Sequence, residues 1–251
     1  VFRIIAQIIS SWIIIIATDI YIKDLGDLFG FGSLYIGQLG IPFTIFSVVG
    51  ICNAFNMLDG KDGLVGSVSV IIMSSLLLLL YFNNIIYHWA QIVVLSTLVY
   101  LAFNLNLFGQ KRKIFLGDHG STGMGHIIAW SLICLSQETD YITPVSALWF
   151  VLLPLTDAIL TFIRRIKSSH SVFSGDRLHL HHKLSDLGFS DKLILAVFSI
   201  ITLISSLFAV ASNIFNLKEF SLFYGYITLL IMLILLGFIK SKEIEKSSKR
   251  R

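Results

Sequence analysis

Charged side chains are scarce in this sequence: Asp, Glu, Lys and Arg make up 14% of its 251 residues, where soluble domains carry roughly 25%. With 55% hydrophobic residues and a mean hydropathy of +0.83, the chain has too few polar groups to cover a water-facing surface. That balance excludes a soluble enzyme and a disordered chain. Cysteine is nearly absent. Cys52 and Cys134 both lie in apolar runs, which excludes a disulfide scaffold and a cysteine zinc site. There is no internal repeat and no long polar segment, so water-facing chemistry must come from loops. The expected fold class is an all-α polytopic membrane protein.

A bilayer core takes about 20 apolar residues per helix. Eight runs are candidates: Ile4–Ile22, Ile41–Phe55, Leu64–Phe82, Ile86–Phe103, His119–Ser136, Pro144–Ile163, Leu193–Asn213 and Phe220–Ile239. The first lacks a basic start and a small-residue cleavage site, so it reads as a span and not as a signal peptide. With the loops numbered alternately, 17 of the 19 Lys and Arg residues fall on one side, and only Lys23 and Lys218 on the other. The positive-inside rule makes the rich side, including the C-terminus, cytoplasmic. The pI of about 9.0 is thereby explained by topology, and nucleic-acid binding is not expected. Residues 1–240 read as one transmembrane domain and 241–251 as a basic cytoplasmic tail. The Gly-rich outer stretch Lys23–Gly40 alternates loosely and predicts a small β-hairpin.

Three cytoplasmic loops concentrate reactive groups. The first carries Asn53, Asn56, Asp59 and Asp62 at three-residue spacing, which places successive members on one helical face. Carboxylates at membrane depth are costly and usually functional, and such oxygen donors suit Mg²⁺. The competing reading is a helix-ending turn capped by Asn and Asp. The second loop reads Phe115-Leu-Gly117-Asp118-His119-Gly120-Ser121, after Lys111-Arg112-Lys113. Glycines at a helix start let backbone N–H groups approach phosphate. Asp118 is a candidate Mg²⁺ ligand and the basic run a candidate anchor for an anionic substrate or headgroup, beside the plainer reading of a helix cap. The third contains Arg177, His179, His181 and His182. Arginine and histidine together can hold a diphosphate, and histidine can move protons near neutral pH. One regular helix cannot aim all three histidines at a point, so an irregular turn is expected. Zinc is the rival occupant of a histidine cluster. Asp157, alone in an apolar run, reads equally as a positioning group or as a satisfied buried carboxylate.

With these stretches in view, the sequence resembles the polyprenyl-phosphate N-acetylhexosamine-1-phosphate transferases, in particular the bacterial undecaprenyl-phosphate N-acetylglucosaminyl-1-phosphate subgroup. The matching segments are NAFNMLDGKDGL (53–64), KIFLGDHGST (113–122) and FSGDRLHLHH (173–182). The resemblance implies a Mg²⁺-dependent enzyme, with Mn²⁺ an alternative ion. It would transfer GlcNAc-1-phosphate from UDP-GlcNAc to polyprenyl phosphate, release UMP, and start a cell-surface polysaccharide such as O-antigen. By motif, it implies Asp118 as metal ligand, Asp59 and Asp62 as essential acids, and Asn53 and Asn56 as support for nucleotide or metal. His179, His181, His182 and Arg177 would hold the diphosphate, Phe115 would stack on uracil, and Asn104 is a lesser substrate-binding candidate. The His-x-His-His form points to UDP-GlcNAc and not to a muramyl-pentapeptide substrate. The implied location is the bacterial inner membrane with a cytoplasmic site, and a homodimer is left open.

Two residues depart from the family pattern, Gly175 where proline is usual and the bulky His119. The family's adjacent Asp-Asp motif, which precedes the first span seen here, does not occur. The chain therefore reads as the C-terminal two-thirds of an eleven-span enzyme and is expected to be inactive alone. Two other classes compete. A transporter or flippase would place polar groups near mid-membrane, whereas here they gather on one face. A zinc hydrolase would be expected to carry His-Glu-x-x-His, which is absent.

Overall fold

The computed structural model describes residues 2–167 and 179–248. Its elements are α1 (Phe2–Thr18), α2 (Gly40–Leu58), α3 (Leu64–Phe82), α4 (His88–Asn104), α5 (Gly117–Glu138), α6 (Pro144–Phe150), α7 (Leu152–Lys167), α8 (Leu180–Asp186), α9 (Asp191–Ile214) and α10 (Glu219–Ser248). Apolar runs become helices because a helix satisfies its own backbone hydrogen bonds where no water can. Three helices are long and apolar enough to cross a membrane, Gly37–Leu58 with its leading turn, α3 and α9; a fourth crossing follows if α6 and α7 count as one bent span. Shorter apolar helices are α1, α4 and the Glu219–Leu235 part of α10. The eight expected runs thus all appear as helix, but among the described residues only three or four have the full length and apolarity of a span.

Three local expectations change. The run expected from Pro144 to Ile163 is broken at Val151, and its two helices meet at 82°. Pro154 supplies the reason: it has no N–H to give the Phe150 carbonyl, and its ring collides with that carbonyl in a continuous helix. Helix α1 stops at Thr18, because Asp19 adopts a left-handed φ of 55°. The outer hairpin is reduced to one antiparallel bridge, Asp24 to Tyr35, flanked by the Leu25 N–H to Leu34 and Ile36 N–H to Lys23 carbonyl bonds, and then the chain coils. Gly26, Gly30 and Gly32 take positive φ, while Asp27 Oδ1 accepts from the Gly30 and Gly32 N–H groups at 2.6 and 3.2 Å.

The core lies where α2, α3, α5, α7 and α9 meet, around buried Phe55, Leu58, Ile72, Ile128, Phe150 and Phe198. Helices α2 and α5 approach closely. A Cβ on Gly125 would stand 2.8 Å from the Cys52 Cα, so only glycine permits this approach. The antiparallel register that follows sets Asn56 opposite Ser121 one turn further on. Loop-to-loop bonds sort the two ends of the molecule. At one end, Lys23 and Asp24 N–H groups bond Gln137, and Thr143 N–H bonds Asn213. At the other, Lys113 meets Asp62 and Lys61 meets Asp191. The loops grouped together by counting spans are the loops grouped in space.

Candidate active site

The α2–α3 turn and the start of α5 form the acidic half of the site. Asn56 Nδ2 donates to Asp118 Oδ1 at 3.2 Å and to Ser121 Oγ at 3.1 Å. Arg3, on the first turn of α1, closes the other side of Asp118: its Nη1 donates to Oδ2 at 3.1 Å, and its Nη2 reaches Asn53 Oδ1 at 3.4 Å. Asn53 Nδ2 in turn donates to Gln7 Oε1 at 3.0 Å. Asp118 remains open to solvent, its side chain 74% exposed. Asp59 is half-buried, and that burial pushes its carboxyl above the ordinary range; hydrogen bonding with Ser121 opposes the shift, and the neighbouring Asp118 charge adds to it. Two carboxylates are thus electrostatically coupled beside a hydroxyl and an amide.

Asp62 lies at the rim. Lys113 Nζ donates to its Oδ2 at 2.6 Å and also stands 5.1 Å from the centre of the Phe115 ring. Phe115 is 72% exposed, an open aromatic face with a cation beside it. Asn104 is placed differently from these. Buried at the end of α4, it accepts from the Gly63 N–H at 2.6 Å and donates to the Ile114 carbonyl at 2.8 Å. It braces the first two loops against each other.

The histidines form the third wall. His179 is the extended residue capping α8, while His181 and His182 lie inside that helix. This irregular start stacks the His179 and His181 rings, 5.9 Å apart and 4° from parallel, with His182 4.1 Å beyond His181. His181 is buried against Gly60: a Cβ there would come within 2.2 Å of its Nε2. Among the described residues neither nitrogen of His181 has a hydrogen-bond partner. Burial first, and then the neighbouring His182, pull its pKa down to about 4, so it is neutral at pH 7. Arg177 and residues 173–176 of the same motif lie outside the described residues.

Of the expected site residues, the structure joins Asn53, Asn56, Asp59 and Asp118 in one cluster. It sets Asp62 beside Phe115 and brings the α8 histidines against the α2–α3 turn through Gly60. Sequence reasoning missed Arg3, counted there only as a topology charge, and Gln7, which carries no motif. It saw Ser121 only as a cap. For Asp157, which bonds the His179 ring, the lone carboxylate in an apolar run was the available signal.

Asp118 itself is bonded by the Arg3 guanidinium and the Asn56 Nδ2, while Asp59, Asp118, Ser121 and the Asn side chains supply the carboxylate, hydroxyl and amide oxygens that suit Mg²⁺. Among the described residues no three His, Cys, Asp or Glu side chains converge on a point that would hold a metal. A pair of carboxylates is still the usual protein share of a Mg²⁺ site whose remaining ligands are phosphate and water.

Comparison with known proteins bears on this geometry. The chain is 34% identical over 233 residues to the undecaprenyl-phosphate alpha-N-acetylglucosaminyl 1-phosphate transferase of Escherichia coli strain K12, covering 92% of this chain and 62% of that protein. Proteins of the same name from Salmonella typhi and Haemophilus influenzae are each 32% identical, over 98% and 90% of this chain and 66% and 65% of their own lengths. The chain therefore spans somewhat under two-thirds of these relatives. The model of one family covers residues 1–136, which include Arg3, Asn53, Asn56, Asp59, Asp62 and the Gly117-Asp118 turn. With that match across more than half its length, the chain belongs to glycosyl transferase family 4.

Proposed function

We propose that this chain carries the catalytic face of a Mg²⁺-dependent enzyme that transfers GlcNAc-1-phosphate from UDP-GlcNAc to undecaprenyl phosphate. The observation that carries this reading is the gathering of Asn53, Asn56, Asp59 and Asp118 in one cluster, with Lys113 and Phe115 beside Asp62 and His181 packed on Gly60. A phosphate oxygen of the lipid attacks the sugar-bearing phosphorus, the bond to UMP breaks, and UMP leaves with the electron pair. Asp118, held by Asn56 and Arg3, and Asp59 would hold the ion, which when bound neutralises charge on the diphosphate. Phe115 offers a stacking face for uracil, and Lys113 beside it a cation for phosphate. The α8 histidines and Arg177 line the diphosphate.

The Lys and Arg bias supports a cytoplasmic position for this face; our reading puts it at a bacterial inner membrane, with the eight apolar runs as crossings. The names of the relatives support the undecaprenyl acceptor and the GlcNAc donor. No adjacent Asp-Asp pair occurs in these 251 residues, and we expect turnover to rise when a segment carrying that pair is supplied with the chain. The test is release of UMP from UDP-GlcNAc, requiring both polyprenyl phosphate and Mg²⁺. UMP release that ignores the lipid acceptor, or none with the added segment present, would refute the proposal.

A further inference from the structure

Asp157 is a carboxylate inside an apolar stretch of α7, and only 2% of it is exposed. A buried charge of this kind is strongly unfavourable unless it is paired and hydrogen-bonded. Its partners all belong to one place. Oδ2 lies 3.2 Å from His179 Nδ1, and Oδ1 accepts the Leu180 N–H at 2.8 Å. Thr161, one turn along the same helix, sets its Oγ1 3.3 Å from the same ring nitrogen. Helix α7 thus grips the first turn of α8 and the imidazole that opens it.

An ionised carboxylate only accepts hydrogen bonds, so Nδ1 of His179 must carry a proton to satisfy it. That leaves Nε2 as the nitrogen with a lone pair, or as the second N–H when the ring is charged. The same division of labour, with a carboxylate fixing one nitrogen so that the other works, recurs in metal sites and in nucleophile triads. His181 has no such anchor; among the described residues its nitrogens are unpartnered, and its ring lies parallel to that of His179.

We propose that Asp157 is a positioning residue of the nucleotide-sugar site: it fixes His179 with a proton on Nδ1, so that Nε2 is the nitrogen left to face the nucleotide, where it donates to a phosphate as the imidazolium. This rests on the transferase reading above. Beside a phosphate, which only accepts hydrogen bonds, Nε2 must carry a proton as well, and the Asp157 carboxylate is the anion in contact with that ring.

The test uses the 251-residue chain labelled with ¹⁵N-histidine, and UDP as the probe. Asp157→Asn keeps an acceptor for the Leu180 N–H but removes the charge. Thr161→Val keeps the charge. In the wild type, the His179 resonance, assigned by its loss in His179→Gln, should show the proton on Nδ1, and Asp157→Asn should lose that signature. At pH 7 the affinity of Asp157→Asn for UDP should drop about 10- to 100-fold, while Thr161→Val keeps the Nδ1 proton signature. A wild-type proton on Nε2 alone, or an Asp157→Asn chain that keeps the Nδ1 signature and binds UDP as the wild type does, would overturn the proposal, even if the variant unfolds at a lower temperature. No UDP binding even with the segment carrying the Asp-Asp pair supplied would refute the transferase reading, and the tautomer signal would still decide whether the clamp exists.

Discussion

Replacing Gly60 by alanine tests whether the first and third loops share one site. The added Cβ would lie 2.2 Å from His181 Nε2, against about 3.4 Å for an ordinary contact, so the ring must retreat by roughly an ångström. It has little room to do so, since it is 1% exposed with the His179 and His182 rings 5.9 and 4.1 Å away. Overpacking of a fitted interior costs about 1–3 kcal/mol. Gly60 is not among the residues with positive φ, so alanine strains no backbone and stiffens the unfolded chain by about 0.4–1 kcal/mol in the opposite direction. The net expectation is a destabilisation of about 1–2 kcal/mol, read as a fall in Tm of about 2–8 °C, with UDP binding weakened at least tenfold because the displaced ring belongs to the site. Gly50, on α2, meets no atom within 4 Å of an added Cβ. Gly50→Ala should therefore be neutral or slightly stabilising. His181→Ala introduced with Gly60→Ala should recover part of the lost Tm, since the two changes act on one contact. If Gly60→Ala matched Gly50→Ala in both Tm and UDP binding, the packing of the α2–α3 turn on α8 would be wrong.

Asp118→Asn should lower Mg²⁺-dependent UMP release by at least about 100-fold while the protein still inserts in the membrane, because an amide is a much poorer ligand; a zinc chelator should leave wild-type turnover unchanged. Only ionised Asp59 serves an essential acidic role, and burial raises its pKa, so turnover should fall as pH drops, at a midpoint above the ordinary carboxylate value of about 3.8. Ser121→Ala removes a hydrogen bond that favours the charged form, so this acid limb should move to higher pH; movement to lower pH would contradict the assignment. Asn104→Ala leaves the Gly63 N–H and the Ile114 carbonyl without their partner, and should destabilise by about 2–4 kcal/mol in thermal unfolding. An unchanged Tm would remove Asn104 from its bracing role.

Much of this molecule could be read along the chain. Apolar runs locate the helices because lipid leaves the backbone no other way to satisfy its hydrogen bonds, and Leu64–Phe82 was legible to the residue. The bias of Lys and Arg sorted the loops onto two ends, and the structure gathers them the same way. Asn53, Asn56, Asp59 and Asp118 stood out because polar groups at helix ends in so apolar a chain need a reason. Other features depended on contacts between distant residues, about which local pattern says nothing. The outer hairpin stops at one bridge, where glycines with positive φ and the Asp27 side chain take up the backbone. Arg3 meets Asp118 across 115 positions only because α1 packs on α2 and α2 packs on α5. Asp157 looked like a stray charge until α8 folded back on α7 and gave it the His179 ring. Composition and periodicity act through each residue's own solvent, so a sequence carries them directly; pairing acts through helix register and close approach, which exist only once the helices are packed.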